Sequence, residues 1–233
     1  MVCVVRILAI ADEVDETLFG HALHAIRPDV VASCGDLAFD YLEYIVTIAG
    51  VPLVYVPGNH DPDVSRRRER QVFDAAMTGP VGGSTLAAPL EPWEDGPGPR
   101  GCSLVDGRIL EVAGLRVAGL GGSIRYRGGE NQYTEAEMWR RARALLRRAR
   151  WGRRGAGRRV DLFLTHSPPL GLGDDDDPAH RGFASFHRVI EGLSPRFMLH
   201  GHVHPYGRPR PDRRVGSTTI VNVIPSRVLE VEA

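Results

Sequence analysis

Lysine is absent. All 29 basic residues are arginine, and 29 acidic residues balance them to a formal net charge of +0. That balance removes any global electrostatic case for a nucleic-acid or anionic-membrane partner. Alongside 27 Gly and 17 Pro, the arginine-only usage reads as a compositional bias, so a single arginine carries no functional weight. Cysteine is scarce: Cys3, Cys34 and Cys102 are odd in number and show no CxxC spacing. This argues against a disulfide framework or a thiolate zinc site and fits a reducing cytosol. No apolar run approaches about 18 residues, so no membrane span is expected. The apolar start VCVVRILAIAD is short, holds Arg6 and runs into acidic residues with no small-residue cleavage site. It reads as a first strand rather than a signal peptide. Internal repeats and long linkers are also missing, and 233 residues suit one cytoplasmic domain over 1–233.

What is present is a βαβ pattern. Val2–Ala11, Asp29–Ser33 and Val51–Val56 are apolar, β-branched runs of strand length. Thr17–Ile26 and Phe39–Ala49 between them carry helical spacing, closed by Pro28 and Gly50. From Pro62 the regularity fails: Arg66–Met77 suggests a short charged helix and Gly79–Gly101 a Gly/Pro-rich loop. Leu104–Val105, Arg108–Val112 and Leu115–Leu120 read as short strands joined by tight turns, and Gly121–Asn131 as loop. Thr134–Trp151 is an amphipathic helix whose Thr134 and Glu137 form a capping box and whose stripe is Met138, Ala142, Leu145, Leu146 and Ala149. The arginines around it, Arg140–Arg159, read as a solvated face rather than a nucleic-acid groove, since no aromatic platforms interleave them. Asp161–Thr165 is a further strand, Phe183–Ile190 a short helix, and Arg196–Leu199, Val215–Val223 and Arg227–Val231 are strands.

Five of the strands end on chemistry. Their carboxyl ends carry Asp12, Asp36, Asn59-His60-Asp61, His166, and His202 with His204. In layered α/β sheets functional groups gather beyond those ends. Two carboxylates, an amide oxygen and three imidazoles, with no thiolate, suit Mn, Fe or Zn and do not choose between them. Six ligands exceed what one tetrahedral ion with an open position takes and suit two ions sharing a carboxylate. Two divalent ions against two carboxylates leave positive charge for an anionic ligand such as phosphate. Histidine exchanges a proton near neutrality, so His60 suits protonation of a departing alkoxide, with Asp61 orienting its ring.

The motifs GD at 35–36, GNHD at 58–61, TH at 165–166 and GHVH at 201–204, in that order, resemble those of the calcineurin-like metallophosphoesterases over essentially the whole chain. The resemblance implies a four-layer α/β/β/α sandwich of two mixed sheets flanked by helices, with a dinuclear centre. By position, Asp36 would bridge the ions, Asn59, His166 and His202 would hold one, and Asp12 and His204 the other. His60 would be the general acid. The expected reaction is hydrolysis of a phosphomonoester or phosphodiester by metal-bound hydroxide. The expected partner is a small-molecule or nucleotide phosphate ester, with neither nucleic acid nor membrane. The first motif departs from the family: D-x-H is here Asp12-Glu13-Val14, and Val14 cannot coordinate. The ion at Asp12 and His204 is therefore expected to bind weakly. Glu13 or Asp15 could stand in; strand alternation points Glu13 away, favouring Asp15 or water. The alternative is a non-catalytic scaffold or binding protein of this fold, to which the missing imidazole lends weight.

Other residues have plainer readings. His200 and Cys34 are read as packed residues, and Asp174–Asp177 as a solvated loop. Asn131, in the Gly-rich segment RYRGGENQY, and His180, downstream of the His166 strand, are the candidate substrate contacts.

Overall fold

A computed structural model describes residues 4–64, 98–156, 159–207 and 210–232. The expectations for Arg66–Met77 and for most of Gly79–Gly101 lie outside the described residues. The strands are β1 (Val4–Ile10), β2 (Val30–Ser33), β3 (Leu53–Tyr55), β4 (Cys102–Leu104), β5 (Ile109–Val112), β6 (Leu115–Leu120), β7 (Ser123–Ile124), β8 (Gln132–Tyr133), β9 (Leu162–Thr165), β10 (Phe197–His200), β11 (Arg213–Val215), β12 (Thr218–Asn222) and β13 (Ser226–Glu232). One sheet runs β13-β1-β2-β3-β4, parallel except for β13. The second runs β11-β12-β10-β9-β6-β5, with four parallel strands inside two antiparallel edges.

Continuous apolar runs become strands buried on both faces, as parallel strands between layers must be. The two-residue period of β1 shows how the layers are made. Ile7 and Ala9 face the second sheet, in a core shared with Leu162, Leu164 and Val117. Leu8 and Ile10 face outward, packed with Leu23, Leu42 and Ile45 of the helices His21–Ile26 and Phe39–Ala49. The outer face of the second sheet is covered by helices Glu135–Ala156 and Ser185–Leu193, which pack Met138, Leu145, Phe186 and Val189 against Phe163 and Met198. The order is helix, sheet, sheet, helix, the four-layer sandwich the motifs implied. Phe163 is fully buried and meets Phe186 edge-on, centroids 5.6 Å apart. Phe163→Ala is expected to cost roughly 3–5 kcal/mol of stability in urea unfolding, the usual penalty for emptying a packed aromatic site.

Local chemistry sets the helix ends. Phe39–Ala49 stops on Gly50, whose φ of +63° lets its N–H reach Val46 O. Glu135–Ala156 begins as the capping box requires: Glu137 N donates to Thr134 Oγ1 at 3.2 Å, and Glu137 Oε2 accepts from Thr134 N at 2.7 Å. The expected helix Thr17–Ile26 is instead a 3-10 turn, Glu16–Leu18, followed by His21–Ile26, because Gly20 at φ +79° breaks it. The three short strands divide between the two sheets. Cys102–Leu104 joins β3 in the first sheet, and only β5 and β6 pair as a hairpin in the second. Within the expected loop Gly121–Asn131, β7 pairs in parallel with β8 just beyond it. No helix among the described residues is long and apolar enough to cross a membrane.

Candidate active site

The first sheet delivers Asp12, Asp36 and the GNHD loop; the second delivers His166 after β9 and the GHVH loop after β10. Three of these side chains sit at strained backbone positions. Asp12 (φ +61°) is the middle of a three-residue turn closed by Glu13 N to Ala11 O. His202 (φ +65°) is the middle of a matching turn closed by Val203 N to Gly201 O. Non-glycine residues rarely adopt such positive φ, and when they do it is often at functional sites. Asp36 (φ +57°) is a third case.

The glycines of the motifs have a steric cause. A Cβ on Gly58 would lie 2.0 Å from Asp36 Oδ1, and one on Gly201 2.0 Å from Asp12 Oδ2. A Cβ on Gly35 would lie 2.4 Å from Gly58 N. Each carboxylate therefore nests against bare backbone of a neighbouring loop.

Hydrogen bonds fix the cluster. Asp36 Oδ1 accepts the His60 N–H at 2.8 Å, while Asp36 Oδ2 lies 3.2 Å from His166 Nε2. Asn59 Oδ1 lies 3.0 Å from the same nitrogen, and His166 Nδ1 donates to Cys34 O at 2.8 Å. Asp12 accepts the His202 N–H through both oxygens, at 3.1 and 2.9 Å. His202 Nε2 donates to Ala179 O at 2.8 Å, and its ring lies 4.7 Å from that of His166. Donor atoms of Asp36, His166 and His202 all lie within 4.8 Å of one another, close enough for one ion to span. His204 Nε2 is 3.8 Å from Asp12 Oδ1.

The electrostatics follow from charges buried together. Burial alone would raise the Asp36 carboxyl, but the charge and hydrogen bond of His166, helped by the His60 N–H, hold it down at about 2. Burial opposes a charged His166, yet Asp36 and Asp12 push it up to about 9. Burial raises Asp12 to about 6 despite the attraction of His166. His202 is driven down to about 3, first by burial and then by the charge of His166.

Several residues sit differently from expectation. Asp61 does not orient the His60 ring. Its Oδ2 accepts the N–H groups of Asp36 at 2.9 Å and Gly58 at 2.8 Å, tying the two loops together. The His60 residue is exposed at the rim. Asp15 is outside the cluster: Oδ1 caps the 3-10 turn through Thr17 N at 3.0 Å, and Oδ2 accepts from Ser226. Glu13 instead turns inward, its Oε1 2.7 Å from His204 Nδ1. The alternation that pointed Glu13 away assumed an unbroken strand, whereas β1 ends at Ile10 and the chain reverses at Asp12. Val14 is exposed. The Asp174–Asp177 run is a solvated loop, as expected, with Asp176 and Asp177 exposed, and it is also organised by hydrogen bonds. Asp174 accepts the N–H groups of Gly171 and Gly182, and Asp175 makes a two-pronged pair with Arg210. Asp177 Oδ2 holds His180 Nδ1 at 2.8 Å, and the His180 ring packs 5.2 Å from that of His202. His200 and Cys34 are packed residues, as expected.

Asn131, at φ +52° and buried, gives its Nδ2–H to Asp61 O at 2.9 Å, so its amide is spent on the GNHD loop. Two further contacts tie the same loops, Asp63 N to Glu130 Oε2 at 2.8 Å and Asn59 Nδ2 to the Tyr126 hydroxyl at 3.5 Å. Tyr126 had no individual signal beyond lying in the flagged segment RYRGGENQY. Asn131→Gly keeps the positive φ and removes only the side-chain bond. It is expected to lower stability by about 1–3 kcal/mol in urea unfolding, because a part-buried carbonyl loses its donor. An unchanged midpoint would show that the loop is held by other contacts.

No curated protein matches the chain. One solved structure, 17% identical, superposes with a TM-score of 0.60 over 94% of this chain and 90% of its own. Another, TT1561 of Thermus thermophilus, is 19% identical, with a TM-score of 0.55 over 94% of this chain and 89% of its own. These likenesses concern the fold. The family model described as calcineurin-like phosphoesterase matches residues 10–206, most of the length and every strand ending that carries the cluster, so the chain belongs to the calcineurin-like phosphoesterase family.

Proposed function

We propose that residues 1–233 act as one catalytic domain, a dinuclear metal-dependent phosphoesterase that hydrolyses a phosphomonoester or phosphodiester. In this reading Asp36 is shared by the ions, with Asn59, His166 and His202 on one side and Asp12 and His204 on the other. The observation that carries it is the convergence of these side chains from two sheets. The donor set fits. Each imidazole already commits one nitrogen to an acceptor, Cys34 O, Ala179 O or Glu13, which leaves the other with a lone pair to give. Bound divalent ions supply Lewis acidity and a water activated at neutral pH. Without a cation, the charge that Asp36 and Asp12 draw into their midst is the proton on His166.

The chain's own residues do the rest. Asp61 fixes the spacing of the Asp36 and GNHD loops, and Asn131 and Tyr126 brace the GNHD loop from the far side. His60 sits on the rim with its backbone anchored to Asp36 and its side chain free to protonate the leaving oxygen. His180, held by Asp177 against His202, would touch the substrate phosphate. Asn131 serves the loop rather than the substrate. The ligand is a small-molecule or nucleotide phosphate ester taken up in the cytoplasm, and Mn, Fe or Zn suits the donor set.

The test is turnover of a bis-aryl phosphodiester and an aryl phosphomonoester by chelator-stripped protein, with and without Mn²⁺, Zn²⁺ or Fe²⁺. Activity on at least one ester, absent after stripping and restored by a divalent ion, supports the reading. Failure of every ion to restore turnover, with binding of a protein partner intact, would leave a non-catalytic member of the family.

A further inference from the structure

His204 differs from the other two imidazoles of the cluster in what its second nitrogen meets. His166 and His202 each give a ring N–H to a backbone carbonyl, at 2.8 Å in both cases. At His204 the acceptor is a carboxylate: Glu13 Oε1 lies 2.7 Å from Nδ1, and Nε2 lies 3.8 Å from Asp12 Oδ1. Two adjacent acidic residues, Asp12 and Glu13, thus take opposite ends of one ring. The three-residue turn at Asp12 makes this possible, since it swings Glu13 to the same side as the residue before it.

We propose that Glu13 is a positioning residue for the ion shared by Asp12 and His204, and that it compensates for the imidazole missing at Val14. The inference rests on the metal reading above. Its physical basis is the hydrogen bond. A carboxylate accepting Nδ1–H fixes the tautomer in which Nε2 carries the lone pair. It also moves electron density into the ring, making Nε2 a stronger donor than a carbonyl acceptor would. Val14 offers no coordinating atom, so the remaining imidazole has to bind more tightly for the site to fill. Glu13 also brings a further negative charge close to an ion that otherwise has fewer protein ligands than its neighbour. The geometry further assigns Nδ1, rather than Nε2, as the protonated nitrogen of His204. Loss of such an outer partner typically weakens an ion by about 10–100-fold. The Glu13 side chain is half exposed (50%), so solvent screens it and the low end, about tenfold, is expected.

The experiment is a calorimetric titration of Mn²⁺ into chelator-stripped wild type, Glu13→Gln and Glu13→Ala. It is paired with long-range ¹H–¹⁵N correlation of the histidine rings in the Zn²⁺-loaded proteins. Wild type should show two binding events. In Glu13→Gln the tighter event should be unchanged and the weaker one about tenfold weaker. Glu13→Ala should be at least as weak and should lose the bonded Nδ1–H signal of His204. A purely structural role would not give this pattern, since it would shift both events or the melting temperature of the stripped protein. The proposal is overturned if the second event is the same in Glu13→Ala, if both events weaken together, or if wild type takes up a single ion. If wild type binds no ion at all, the metal reading itself fails, which the titration separates from failure at Glu13 alone.

Discussion

Replacing His60 with glutamine is expected to lower kcat by roughly 10²–10⁴-fold, the usual worth of a positioned general acid, while the ion content of the protein stays as in wild type. The structure separates the backbone of this residue from its side chain. Its backbone N–H holds Asp36 Oδ1 at 2.8 Å and survives any side-chain change, whereas the residue is exposed and packs no core. Glutamine keeps length and polarity but cannot hand a proton to an alkoxide. The loss should therefore depend on the leaving group. An ester whose departing oxygen is already stable as an anion, such as a nitrophenolate, should lose less than an alkyl ester. Comparing kcat for the two in wild type and His60→Gln, with metal content measured on the same samples, checks the role. Equal losses for both esters would remove His60 from proton transfer and leave it a substrate contact.

Gly58→Ala is expected to abolish tight binding of the ion shared through Asp36 and to cost more than about 10²-fold in turnover, since misplacement of a reacting group by about 1 Å is enough for that. The added methyl would lie 2.0 Å from Asp36 Oδ1 and 2.7 Å from the Asp36 backbone nitrogen, so flexing one side chain does not relieve it. Asp36 is pinned by His60 N and His166, and Gly58 N is itself bonded to Asp61, so displacement spreads through the cluster. Gly128→Ala is the matched control, because nothing lies within 4 Å of a Cβ there. Metal titration and circular dichroism on both variants distinguish loss of the site from loss of the fold. Gly58→Ala with wild-type ion affinity would show that the loop yields where the packing says it cannot.

The architecture was legible because parallel strands buried on both faces have to be written as unbroken apolar runs, and because their carboxyl ends collect polar residues. Hence Asp12, Asp36, Asn59, His166, His202 and His204 could be named as one group from their positions after strands. What the sequence concealed depends on backbone turns and distant partners. Glu13 looked averted because alternation holds only while a strand continues, and nothing in Ala11-Asp12-Glu13 announces a positive φ at aspartate. Asp61 looked like a partner for its neighbour His60, but its bonds go to Asp36 N and Gly58 N, the first of them 25 residues away. The Asp174–Asp177 run is solvated as its composition suggests, but its partners, Gly182, Arg210 and His180, are fixed only by the folded loop and could not be read from the sequence. The break at Gly20 follows a similar logic: the periodicity of Thr17–Ile26 is helical, and one glycine at positive φ overrules it.

Several contacts of the cluster run from one half of the sandwich to the other. Asp36 and Cys34 hang from the first sheet and grip His166 of the second; Asp12 does the same for His202. The centre is therefore also a latch on the seam between the halves. A cation that fastens it adds RT ln(1 + [L]/Kd) to the cohesion of the molecule, about 2.7 kcal/mol at a hundredfold excess over Kd. Metal starvation would then loosen the rim and open the interior strands to proteases, so the cell's supply of the ion would govern how long the protein survives as well as whether it works.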